Sequence, residues 1–80
     1  MDIDLARHFA RVAFRVGREL EDTLALAKRH LPEAEYRDVA RDVAGAIHAV
    51  QIALLDRAIS EVPSLRAEIE ASIARHERFL

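Results

Sequence analysis

Four residues of this chain disfavour or break helices, Gly17, Pro32, Gly45 and Pro63, and their positions decide what the remainder can fold into. Apolar residues recur at helical spacing on both sides of each proline, so each proline marks the end of one helical pattern and the start of the next. The spacing predicts an all-α chain of three helices, over residues 3–30, 32–61 and 64–79, in a single domain covering 1–80. Asp2 or Asp4 supplies an N-cap for the first helix. Pro32, Glu33 and Glu35 open the second, where the helix dipole favours acids. No strand alternation, repeat or low-complexity segment appears, and two such short connections imply antiparallel neighbours, hence a long helical hairpin.

A register follows from the stripes. Leu5, Phe9, Val12, Val16, Leu20, Leu24 and Ala27 form one face of the first helix, and Tyr36, Val39, Val43, Ile47, Val50, Leu54 and Ala58 form one face of the second. Facing residues of an antiparallel pair keep a constant index sum, which sets Phe9 against Leu54, Val16 against Ile47 and Leu20 against Val43. The same rule sets Ala10, Ala13 and Gly17 against Ala53, Ala49 and Ala46. Gly17 and Gly45 fall at one level, and a tight helix crossing there is the expected compensation for two helix-interior glycines.

The extra apolar face of the second helix, Ile52, Leu55 and Ile59, is expected to receive the shorter third helix, with Leu65 opposite Ile59, Ile69 opposite Leu55 and His76 opposite His48. That helix runs out near Ala44. The hairpin tip, Leu20, Leu24, Leu31, Tyr36, Val39 and Val43, is then left with two helices and no third. Helices of about 28 residues reach ~42 Å, longer than a compact globule of this size. The reading is therefore a bundle assembled as a homodimer or higher oligomer, with the tip as its interface.

Composition narrows the function classes. The chain lacks cysteine, so disulfides, thiolate metal sites and thiol nucleophiles are excluded, and a net charge of −2 gives no global attraction for nucleic acid or anionic lipid. No uninterrupted apolar stretch exceeds four residues, as in Ile52 to Leu55, and no charged-then-apolar leader opens the sequence, so the expected location is the cytoplasm. Eleven arginines to one lysine and fifteen alanines suggest a GC-rich bacterial or phage genome.

Three clusters carry candidate chemistry. Arg7, Arg11, Arg15 and Arg18 recur on one face of the first helix with Phe14 at its edge, a pattern suited to nucleic-acid phosphates. The plainer expectation is a solvated face paired with Glu70 and Glu77. The architecture resembles, with no shared motif, the small plasmid RNA-binding hairpins of the Rop type, which dimerise into four-helix bundles. Glu19 and Asp22 fall at the level of Asp38 and Asp42, and carboxylates from two helices hold Mg²⁺ in the all-α nucleotide pyrophosphohydrolases of the MazG type. That motif pairs ExxE with ExxD. The strings here, Glu19 to Asp22 and Asp38 to Asp42, depart from the second spacing, and Arg18, Arg37 and Arg41 neutralise them. His48 and His76 form the third cluster, a possible metal or pH-sensitive pair whose ordinary counterpart is a hydrogen-bonded core histidine. No Glu-x-x-His, His-Glu-x-x-His or glycine-rich phosphate loop occurs, so no cofactor is expected.

The favoured reading is a non-enzymatic protein–protein interaction module, a small regulator, inhibitor or assembly factor acting as a dimeric bundle. A nucleic-acid-binding bundle using the arginine stripe is the alternative, and a Mg²⁺-dependent nucleotide pyrophosphohydrolase ranks third. The expected partners are a second copy and another protein, with no membrane.

Overall fold

The computed structural model describes residues 1–79, and all its regular secondary structure is helical. Helix α1 spans Ile3–His30. Its N-cap is Asp2, whose Oδ1 accepts the Leu5 amide at 3.0 Å, and Lys28, Arg29 and His30 close its last turn where cations complement the dipole. Leu31 is extended (φ −107°, ψ 146°), the conformation imposed by the proline that follows it. Helix α2 then runs over Glu33–Glu61 and stops at Val62, before Pro63. Helix α3 covers Leu65–His76.

Two local features depart from the sequence pattern. Within α2, residues Gln51–Asp56 wind as a π turn. A π turn carries one residue more than the α turn it replaces, so a constant-sum register cannot pass through it unbroken. Helix α3 stops at His76 and not at residue 79, because Glu77 adopts a left-handed conformation (φ 59°, ψ 14°). That reversal turns the tail back towards α1, where Phe79 is buried. The Ser72 hydroxyl donates to the Arg78 carbonyl at 3.0 Å and fixes the returning segment.

The third helix has two neighbours where the sequence pattern indicates one: Leu55 and Ile59 of α2 pack against the core that holds its Leu65 and Ile69, as expected, and α1 is added. Its backbone approaches α1 and the Arg57–Glu61 end of α2, and it does not follow α2 back through the π turn. His76 is thus an exposed residue at the end of α3, and Ile52, expected beneath that helix, is 51% exposed. The physical reason lies in side-chain size. Ala6, Ala10 and Ala13 make a strip along α1 over which another backbone can approach closely, and all three are buried.

The core is accordingly confined to one end. It comprises Ala6, Ala10, Ala58, Leu65, Ile69 and Phe79, with Phe9, Phe14, Leu55, Ile59 and Val62 packed against it. Among the described residues, Leu65 is the one large side chain that is fully buried. The Met1 ammonium lies 3.3 Å from Glu61 Oε1, placing the start of α1 beside the end of α2 at this same end of the molecule. From Phe14 through Arg57 no residue is buried.

The glycines do not mark a tight crossing. A Cβ built on Gly17 or Gly45 would meet nothing within 4 Å, so neither glycine is required by a close helix approach within the chain. The small residues Ala46, Ala49 and Ala53, expected in the seam, are exposed. Overall dimensions are 44 × 25 × 14 Å with a radius of gyration of 14.7 Å, against about 12 Å for a compact chain of this length. The molecule is a slab little thicker than a single helix.

Candidate functional site

The arginine stripe on α1 divides into two halves with different surroundings. Arg7 donates through Nε to Glu68 Oε1 at 2.7 Å and through Nη2 to Glu68 Oε2 at 3.3 Å, a two-pronged contact between α1 and α3. Its Nη1 also reaches Asp4 at 3.0 Å. Donation of these hydrogen bonds to the Glu68 carboxylate, ahead of every other influence, raises the Arg7 pKa above its ordinary value. Arg7 is therefore a structural clamp, and its partner is Glu68 in place of the expected Glu70 or Glu77.

The other half is open. Arg11 lies over the ring of Phe79, 5.4 Å from its centroid, and Phe79 in turn sits 6.2 Å from Phe14 with the rings tilted by 55°. Arg15 and Arg18, one and two turns further on, make no ion pair among the described residues. Together with Arg78 these groups line a groove of about 310 Å³, whose remaining walls are Phe14, Phe79, Glu19 and Asp22. The sequence reading found Arg11, Phe14, Arg15 and Arg18 but missed Arg78 and Phe79, because residues 77–79 were read as continuing the helix. No local sequence signal announces the left-handed Glu77.

The proposed carboxylate centre is not assembled. Glu19 and Asp22 border the arginine groove, whereas Asp38 is paired with Arg41 at 3.2 Å. Among the described residues, no three acidic, histidine or cysteine side chains come together in a metal-holding group, so the Glu19/Asp22/Asp38/Asp42 set does not form one. His48 and His76 are both exposed.

The tip residues form the second surface. Leu20, Leu24, Leu31, Tyr36, Val39 and Val43 are each half-buried and none is buried. Leu31 and Tyr36 also border an open depression of about 380 Å³ with Lys28, Glu33 and Arg37, where Arg37 pairs with Glu33 at 2.6 Å. Leu26 nearby is 51% exposed. By length and composition α2 also passes as a candidate membrane span, its most apolar 18 residues having a mean hydropathy of 1.3 and only 6% of them buried. That test is equally met by helices that pack in protein cores. Neither a protein-family model nor a characterised protein nor a solved structure matches this chain.

Proposed function

We propose that this protein is a non-enzymatic interaction module that acts as a homodimeric helical bundle, a small regulator, inhibitor or assembly factor. One observation carries the reading: from Phe14 to Arg57 the chain has no buried residue, although this span holds most of its aliphatic stripe. Leaving ~400 Å² of such surface in water forgoes about 10 kcal/mol, comparable to the whole stability of a small domain. Isologous pairing of two hairpin tips through Leu20, Leu24, Leu31, Tyr36, Val39 and Val43 would build a four-helix core there without another gene product.

A protein surface suits this face better than lipid. In the apolar part of α2 only residues 43–55 are free of Asp, Glu, Lys and Arg, and this stretch, which still contains His48, extends ~20 Å against the ~30 Å of a bilayer's hydrocarbon core. Light scattering coupled to size exclusion tests the assembly directly. A mass twice the 9.0 kDa of one chain is the expected result, and a well-folded monodisperse monomer would overturn the reading.

A further inference from the structure

We propose that the groove between α1 and the returning C-terminal tail binds a compact phosphate-bearing small molecule of the nucleoside-diphosphate class, its phosphates held by Arg11, Arg15 and Arg78. The first ground is unspent charge. Arg11, Arg15, Arg18 and Arg78 make no ion pair among the described residues and border one concave surface, while the remaining arginine of the stripe, Arg7, is already neutralised. A guanidinium presents several donors in a planar fork that matches phosphate oxygens two at a time.

The second ground is preorganisation. Phe79 is buried, its tail is anchored by the bond from Ser72 to the Arg78 carbonyl, and Arg11 is stacked over the Phe79 ring. The groove therefore exists before any ligand arrives, so less ordering entropy opposes binding. Half-buried Phe14 offers an apolar wall for the ligand's body.

The third ground sets the ligand's size. Asp4 and Glu68 close the positive stripe at Arg7, and Glu19 and Asp22 close it beyond Arg18. The free positive charge on α1 thus extends only from Arg11 to Arg18, about 10 Å along the helix. A continuous nucleic-acid strand would run its phosphates into the carboxylates at both ends. A compact ligand places its anionic part between them and turns hydroxyl or amino groups towards Glu19 and Asp22, which accept hydrogen bonds. A volume of about 310 Å³ lies at the lower end of the range for small-molecule sites.

Calorimetric titration of the full chain with ADP, with pyrophosphate and with a single-stranded oligonucleotide of about 15 nucleotides tests this inference. The expected result is ADP binding that pyrophosphate competes away. The double variant Arg15→Gln/Arg78→Gln should weaken it by about tenfold or more, through loss of charge-assisted hydrogen bonds. Arg37→Gln, outside the groove, should leave it unchanged, and both exposed substitutions should leave the helical circular dichroism intact. The proposal is overturned if neither ADP nor pyrophosphate binds, or if the double variant binds ADP as the parent does. Oligonucleotide binding about tenfold tighter than ADP, with a steep salt dependence, would replace it with a strand-binding face. The oligomeric state is measured separately, so failure here leaves the dimer standing or falling on its own evidence.

Discussion

Phe79 and Phe14 meet with ring centroids 6.2 Å apart although they lie at opposite ends of the sequence, and this contact ties the C-terminal tail to the middle of α1. Arg11 covers Phe79 as well, so one buried ring joins the core, the tail and the basic groove. Phe79→Ala should therefore cost about 3 kcal/mol, the lower end for a buried phenylalanine because the site lies at the edge of the core. Chemical denaturation provides the measurement. A double-mutant cycle with Phe14→Ala should return a coupling of about 0.5–1.5 kcal/mol for the ring pair.

Gly45→Ala should stabilise the chain. The methyl group meets nothing within 4 Å, and alanine removes the entropic penalty of a helix-interior glycine, a gain of about 0.5–1 kcal/mol. The denaturation midpoint should rise with an unchanged slope. If the midpoint falls and the measured mass drops to that of a monomer, the glycine lies in the interface between copies.

Leu24→Glu combined with Val39→Glu tests the tip. Both side chains are half-buried in the isolated chain, so each new carboxylate keeps access to water in a monomer. In a dimer whose core is the tip, two copies of each charge would be desolvated. The variant should run as a monomer on size exclusion, with its helices retained near α3 and frayed at the α1–α2 junction. An unchanged oligomeric mass would move the interface elsewhere.

The Arg7–Glu68 pair gives a pH and salt prediction. Because the folded-state pKa of Arg7 is raised, the stability it contributes is complete below the unfolded-state value and is lost only as pH rises through the still higher folded value. Over roughly pH 6 to 10, Arg7 should therefore add no slope to the stability profile. Glu68→Gln should destabilise mildly in dilute buffer and less in high salt, since both side chains are partly exposed at 31% and 37%. Thermal melts at two salt concentrations measure the difference.

The helices, and their ends apart from the C-terminus of α3, were legible because single residues decide them. Asp2 caps α1, and Leu31 and Val62 leave the helical conformation before prolines, so that α1 ends at His30 and α2 at Glu61. The seat of α3 was half legible, since Leu55 and Ile59 do pack against the core that holds Leu65 and Ile69, whereas the approach to α1 was not read. Periodicity identifies the apolar face of a helix but not which of two surfaces receives it, and Ile52, Leu55 and Ile59 were a larger apolar target than Ala6, Ala10 and Ala13. Close approach over the alanines adds α1 as a second neighbour, and those three small residues were the available signal. The groove was half legible. Its α1 wall follows from spacing alone, whereas Arg78 and Phe79 depend on a backbone reversal at a glutamate, a residue that rarely takes a positive φ.

The π turn at Gln51–Asp56 makes α2 a helix with one residue to spare. In an unbroken α-helix, deleting a residue swings everything beyond it by about 100° around the axis and turns an inward side chain outward. Here a deletion inside residues 51–56 would let the widened turn relax to ordinary α winding and leave Ala58 still pointing into the core. Removal of Ala53 should thus be tolerated where removal of Ala46, in regular helix, is not. A chain related by descent would be expected to carry its alignment gap at this turn, so that length variation in α2 would be concentrated in six residues while the flanking segments keep their phase.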